Sequence, residues 1–312
     1  MSATVSVCVV GSFMTDLVMR VARRPQAGET VQAEEFGIFL GGKGFNQAVA
    51  ARRLGARVAI IGRVGADEFG ARFLDALARE GIGADGVIRD PDQGTGIATP
   101  VVDAAGANSI IIAPRANLRL RPADVAAHAE RIAGCDVLLL QLEVPAEASI
   151  AAARIAHAAG RRVVLNPAPV MAFPDELLRL ADVITPNEVE AAALTGEAVT
   201  GPEAALRAAE RLLARGARAV VVTLGAAGCV VAAGTARVHL PAFPVEAVDT
   251  TAAGDAFTAA LAVRLAETDD LREAARWGNA AGACAVRRFG AEPSLPPRTA
   301  VLDMLAGGTP TA

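Results

Sequence analysis

VLLLQLEVPAEASIAAARIAHAAGRRVVL, residues 137–165, decides the fold. Residues 137–140 form a continuous apolar run of strand length. Residues 146–159 are Ala-rich and amphipathic, as a helix requires, and residues 163–165 return to apolar strand sequence. Uninterrupted apolar strands separated by helices belong to a parallel sheet covered on both faces. The same alternation runs outward in both directions. Further strands are expected at 5–10, 58–61, 183–185 and 219–223, and further helices at 45–54, 68–80, 204–214, 254–266 and 271–286. The expected fold class is therefore α/β: three layers (α/β/α) around a doubly wound, mainly parallel sheet.

Two segments break the alternation. Residues 29–40 read as extended chain, and 97–112 as two strands around Ala104-Ala105-Gly106-Ala107-Asn108, a hairpin signal. Together they predict a small β-sheet lid, built from segments about 16–42 and 95–115 of a single domain covering 1–312. Ligands of open α/β sheets bind at the carboxyl ends of the strands, where such a lid would lie. The GGTPTA tail reads as frayed.

Composition excludes several classes. Just over half of the 312 residues are apolar, yet none of the apolar runs reaches membrane-spanning length without a charge. Net charge is −4 with scattered Lys and Arg, tyrosine is absent and Trp277 is alone, so neither a nucleic-acid footprint nor a base-stacking platform is expected. Cys8, Cys135, Cys229 and Cys284 are far apart, and His128, His157 and His239 join no cluster. A reduced, cytoplasmic chain without a zinc site and without a secretion signal is expected.

Two glycine patterns invite nucleotide readings and fail them. Gly81-Ile82-Gly83-Ala84-Asp85-Gly86 matches G-x-G-x-x-G but follows a helix instead of a strand, so Gly81 reads as a helix C-cap. Residues 37–43 match G-x-x-x-x-G-K, but Gly44 stands where a phosphate loop needs a magnesium-binding Ser or Thr. The glycines of LGGKGFNQAVA (40–50) still lead into a helix, where backbone N–H groups, Lys43 and Asn46 can meet a polar ligand.

The stretch DTTAAGDAF (249–257) is a better anion site. Small residues expose the N–H groups of Ala252, Ala253 and Gly254 at a helix start, and Asp255 stands in the first turn. A carboxylate beside an anion hole suits a hydroxyl that attacks a phosphate.

DTTAAGDAF resembles the C-terminal signature of the ribokinase-like carbohydrate kinases, and LGGKGFNQAVAARRLGA is similar to their N-terminal one. GSFMTDLV, QLEVP, LNPAP, PDELL, ITPNEVEAAALTG, VTLGAAG and GAEPSLP continue the likeness in the family's order, over essentially the whole chain and closest to the ribokinase and deoxyribokinase branch. The resemblance implies ATP-dependent phosphorylation of a pentose at its primary hydroxyl, with Asp255 as base and Ala252, Ala253 and Gly254 as anion hole. It implies sugar contacts from Asp16, Gly42, Lys43, Asn46 and Glu143. Asn187 and Glu190 match the N-x-x-E motif that organises magnesium and the ATP phosphates. Thr223, Gly225, Gly228 and Asn279 match nucleotide-binding positions. Asp249, Thr251, Arg288, Gly290 and Ser294 resemble a potassium site, several through carbonyls. A homodimer through the lids is implied as well.

Two positions depart from the pattern. Met14 stands where the ribokinase motif usually has Asn, and Met there resembles the deoxyribokinase branch; a thioether is a poor acceptor, which suits a sugar lacking its 2-hydroxyl. Arg115 replaces a common Gly at the lid edge, pointing either into the pocket or into solvent. A nucleoside kinase of the same family and a non-catalytic sugar-binding relative are the other readings.

Overall fold

Along the first strand, Val7 and Val9 join one apolar cluster while Cys8 and Val10 join another. A strand buried on both faces must do this, because successive side chains point to opposite sides. The computed structural model describes residues 4–104 and 108–307. Its strands are β1 (Ser6–Val10), β2 (Met14–Arg20), β3 (Glu35–Gly41), β4 (Arg57–Gly65), β5 (Gly83–Asp90), β6 (Gly96–Val102), β7 (Asn108–Ala113), β8 (Val137–Leu140), β9 (Arg162–Leu165), β10 (Val183–Ile184), β11 (Ala219–Thr223), β12 (Cys229–Ala233) and β13 (Ala236–Leu240).

The main sheet has the order β13-β12-β11-β10-β9-β8-β1-β4-β5. From β11 to β5 every pairing is parallel, whereas β12 and β13 add an antiparallel edge. One face is covered by the helices Lys43–Arg53, Ala253–Thr268 and Leu271–Ala285, and the other by Ala146–Ala158 and Pro202–Ala214. Alanine dominates these helix faces (Ala48, Ala51, Ala259, Ala262, Ala280 and Ala281 are all fully buried), letting the helices pack closely. The first of these helix layers also holds Trp277, whose ring lies under the Arg264 and Arg298 guanidiniums at 4.9 and 5.0 Å.

A separate four-stranded sheet, β3-β2-β6-β7, rises beside the main one. β2 follows β1 after only residues 11–13, so the chain passes directly from one sheet into the other. Asn117 pins this junction: its Oδ1 accepts from Phe13 N at 2.9 Å and its Nδ2 donates to Phe13 O at 2.7 Å. The lid begins a little earlier than the expected 16, with β2 running from Met14, and the extended segment expected from 29 pairs only from Glu35 onward. The hairpin signal falls between β6 and β7, but residues 105–107 lie outside the described residues, as does the tail from 308. Gly81 is the left-handed cap (φ 67°) of Glu68–Glu80, and β5 begins at Gly83, which removes the dinucleotide pattern. Among the described residues no helix is long and apolar enough to cross a membrane.

Candidate active site

Residues 40–50 turn sharply where β3 ends. Gly37 and Gly41 belong to β3, and Lys43 opens the helix Lys43–Arg53. At Gly44 a Cβ would lie 2.3 Å from Ser12 N, so no Ser or Thr fits there. The chain packs against 11–12 instead: Gly44 N donates to Ser12 Oγ at 3.3 Å and Phe45 N to Ser12 O at 3.0 Å. Ser12 Oγ donates to Glu143 Oε2, which also accepts from Lys43 N at 2.9 Å. Ser12 thus ties the glycine turn to the end of β8, a role its position in GSFMTD did not announce.

The second glycine turn lies opposite. Ala252 caps the helix Ala253–Thr268 in the left-handed region (φ 60°), with no side chain bonded to the helix N-terminus. Holding a non-glycine residue there costs about 1 kcal/mol; Ala253 N donates to Thr250 O at 3.3 Å, and the positive end of the helix dipole lies at the turn. Asp255, 5% exposed, accepts from Asn46 Nδ2 and from Gln47 Nε2, both at 3.0 Å.

Two cavities meet at this turn. The first, about 560 Å³, lies under the small sheet and is lined by Met14, Asp16, Gly42, Lys43, Asn46, Glu143, Asp249, Thr251, Ala252, Asp255 and Gly290. The second, about 540 Å³, opens on the other side and is lined by Thr223, Gly225, Gly228, Ala253, Gly254 and Asn279, with Phe257 and Val286 among its apolar walls. Thr250 and Ala247 line both. The turn 250–254 is therefore a partition, with Asp255 on one side and Gly254 on the other.

Four expected residues line neither cavity. Asn187 and Glu190 form a reciprocal capping box on the helix Glu188–Thr195, with bonds of 2.8 and 2.9 Å, and Asn187 bridges to Thr223. Arg288 is exposed, and Ser294 is buried with its hydroxyl donated to Ala291 O at 2.7 Å. The others of that group do converge: Asp249 accepts from Thr251 N and Thr251 Oγ1 through one oxygen and from Gly290 N through the other.

Electrostatically the first cavity holds four carboxylates, Asp16, Glu143, Asp249 and Asp255, and the Lys43 ammonium. Burial, then Glu143 and Asp255, push the Asp16 carboxyl up to about 7. Burial lowers Lys43, but Asp255, Glu143 and Glu190 outweigh it and hold the ammonium above its ordinary value. Lys43 therefore stays charged. Glu190 is itself raised, by burial first, against the Asn187 N–H bond and Lys43, with Asp255 adding to the rise. Asn46 Oδ1 is buried without a hydrogen-bond partner among the described residues, an acceptor available to a ligand.

Arg115 takes neither expected direction. Its guanidinium packs over Gly94 and donates to Thr95 O at 3.2 Å, while its backbone sits at φ 49°. The local bond keeps the side chain out of the cavity, and the left-handed backbone is one that glycine adopts without cost.

Comparison with known proteins places this geometry. The profile described as pfkB family carbohydrate kinase matches residues 5–298. A ribokinase of Haemophilus influenzae is 42% identical over 298 residues, covering 95% of this chain and 97% of that protein. A deoxyribokinase of Salmonella typhi is 36% identical over 291 residues, covering 93% and 95%. The structure of Arabidopsis thaliana ribokinase complexed with ribose and ATP superposes with a TM-score of 0.88 at 33% identity, covering 97% and 99%. With nearly its full length matched and both glycine turns in place, the chain belongs to the pfkB family of carbohydrate kinases, ATP-dependent enzymes.

Proposed function

We propose that the protein transfers the γ-phosphoryl of ATP to the primary hydroxyl (O5) of a pentose, ribose or 2-deoxyribose. The partition carries this reading: a polar, carboxylate-lined cavity and a largely apolar one share a wall made by a helix N-terminus that no side chain caps, with Asp255 beside it. The sugar occupies the first cavity, held by Asp16, Gly42, Lys43, Asn46 and Glu143. Adenine lies near Thr223, Gly225, Gly228 and Asn279 in the second. Asp255 takes the hydroxyl proton while Ala252, Ala253 and Gly254 hold the charge that develops on the phosphoryl oxygens.

Magnesium and potassium belong to the proposal. Glu190 spends Oε2 on the Asn187 N–H, and no cluster of three His, Cys, Asp or Glu among the described residues makes a cage. That donor set fits an ion that keeps most of its waters and is held mainly by substrate phosphates, whose charge it neutralises when bound. Asp249, Thr251 and Gly290, joined by the carbonyls of Arg288 and Ser294, are oxygen donors suited to a monovalent cation behind the anion turn. The free, buried cysteines support a reducing, cytoplasmic setting. Apolar side chains exposed on the small sheet (Phe36, Ile38 and Ile111 among them) support a homodimer through the lids.

Met14 favours 2-deoxyribose. Only 3% exposed at the cavity wall, its thioether offers a 2-hydroxyl no good partner, and an unpaired buried hydroxyl costs about 1–3 kcal/mol. The test is ADP release with ribose, 2-deoxyribose, hexoses and nucleosides, each with and without potassium. Turnover of pentoses is expected; activity confined to nucleosides or hexoses refutes the reading, and indifference to potassium removes the cation site.

A further inference from the structure

Behind Asp255 lies a chain of buried amides that the catalytic proposal does not use. Gln47 and Gln141 are fully buried, and Asn166 is 6% exposed. Gln47 Nε2 donates to Asp255 Oδ1 at 3.0 Å and lies 3.3 Å from Asn166 Oδ1; Gln47 Oε1 accepts from Gln141 Nε2 at 2.6 Å. Asn166 Nδ2 donates in turn to Thr185 O at 2.9 Å.

The direction of every amide is fixed by its ends. A carbonyl oxygen only accepts, so Asn166 must turn its NH₂ to Thr185 and its oxygen to Gln47. An ionised carboxylate only accepts as well, so Gln47 must turn its NH₂ to Asp255 and its oxygen to Gln141. Packing is built around this chain: a Cβ on Gly11 would lie 2.2 Å from Gln141 Oε1.

We propose that Gln47, oriented by Gln141 and Asn166, is the positioning residue that aims the Asp255 carboxylate at the sugar hydroxyl. The inference rests on the kinase reading given above. Asn46 and Gln47 are neighbours on the helix that begins at the sugar turn, and they hold the two oxygens of Asp255 from one side. The carboxylate cannot rotate without breaking both bonds, and each oxygen keeps a second lone pair for the incoming proton. Because the same helix carries Lys43, the sugar turn and the base are held as one rigid unit. Gln47 lines neither of the two cavities, so it acts through Asp255 and not on substrate.

The test compares wild type with Gln47→Met, which fills the space but cannot donate, and with Gln141→Met, which removes only the bond that orients Gln47. Steady-state kcat and KM for pentose, sugar affinity by calorimetry and thermal stability are measured for each. For Gln47→Met, kcat is expected to fall about 10–100-fold, the scale of losing alignment at a reacting centre, while KM and sugar affinity stay near wild type. Gln141→Met is expected to lower kcat in the same direction by less. Folded Gln47→Met with unchanged kcat, or with its loss confined to KM, overturns the positioning role. If Gln47→Met does not fold, unchanged kcat in Gln141→Met overturns it. Wild-type turnover is the control: its absence refutes the kinase reading, whereas wild-type turnover with indifferent variants refutes this inference alone.

Discussion

Asp16→Asn is expected to stabilise the sugar-free protein, and by an amount that grows with pH. Asp16 stands beside Glu143 and Asp255 under the small sheet, and its carboxyl is raised from 3.8 to about 7, by burial first and then by those two neighbours. At 1.36 kcal/mol for each pH unit, the rise corresponds to about 4 kcal/mol; water in the open cavity reduces this to about 2–4 kcal/mol. The sign follows from the raised value. The folded protein prefers the protonated acid, so this contribution is fully present below the unfolded value of 3.8 and is lost as pH climbs through about 7. Asparagine does not titrate. The stability advantage of Asp16→Asn should therefore be smallest near 3.8 and grow to its full size above about 7. Urea unfolding of both proteins across that range, in sugar-free buffer, measures it. A difference that stays constant with pH, or that shrinks as pH rises, refutes the reasoning. Sugar hydroxyls donating to Asp16 favour its charged form, so added pentose should narrow the gap and release protons near neutral pH.

Three further outcomes are expected. Asp255→Asn should lower kcat by about 10²–10⁴-fold, the usual loss for a general base, while calorimetry finds sugar binding largely retained; full activity would remove Asp255 from the chemistry. Met14→Asn should shift the ratio of kcat/KM for ribose over 2-deoxyribose upward by about 5–150-fold, the equivalent of 1–3 kcal/mol; an unchanged ratio removes Met14 as the determinant. Ile111→Lys, at a side chain 78% exposed on the small sheet, should lower the association state seen in analytical ultracentrifugation if the sheets pair; a mass identical to wild type argues against that interface.

The parallel core was legible because continuous apolar runs such as 137–140 and 219–223 have no other comfortable place, and the strands 137–140 and 219–223 coincide with β8 and β11. β2 was not legible: MTDLVMR alternates only weakly and follows β1 after three residues, and its pairing with β3 and β6 is what makes it a strand. β13 was missed for a similar reason, since most of it is exposed at the sheet edge. At the site, the two glycine turns announced themselves because backbone N–H groups at a helix start are a local property. Gln47 and Gln141 carried no such signal. Both read as ordinary polar residues, and only the crossing of the helix Lys43–Arg53 with Ala253–Thr268 and β8 buries their amides face to face. Arg115 shows the same limit, because the choice between cavity and solvent was decided by a nearby carbonyl on Thr95.

Trp277 gives the protein a built-in spectroscopic reporter. It is the sole tryptophan in a chain without tyrosine, with two guanidiniums against its ring, on the helix that also carries Asn279, Gly282 and Ala283 to the wall of the second cavity. The aromatic side chains around the first cavity, Phe39 and Phe289, scarcely fluoresce. Intrinsic emission therefore reports on the second cavity alone: ATP binding there, as proposed, can be followed without a dye, while events in the first cavity stay dark unless they reach that helix.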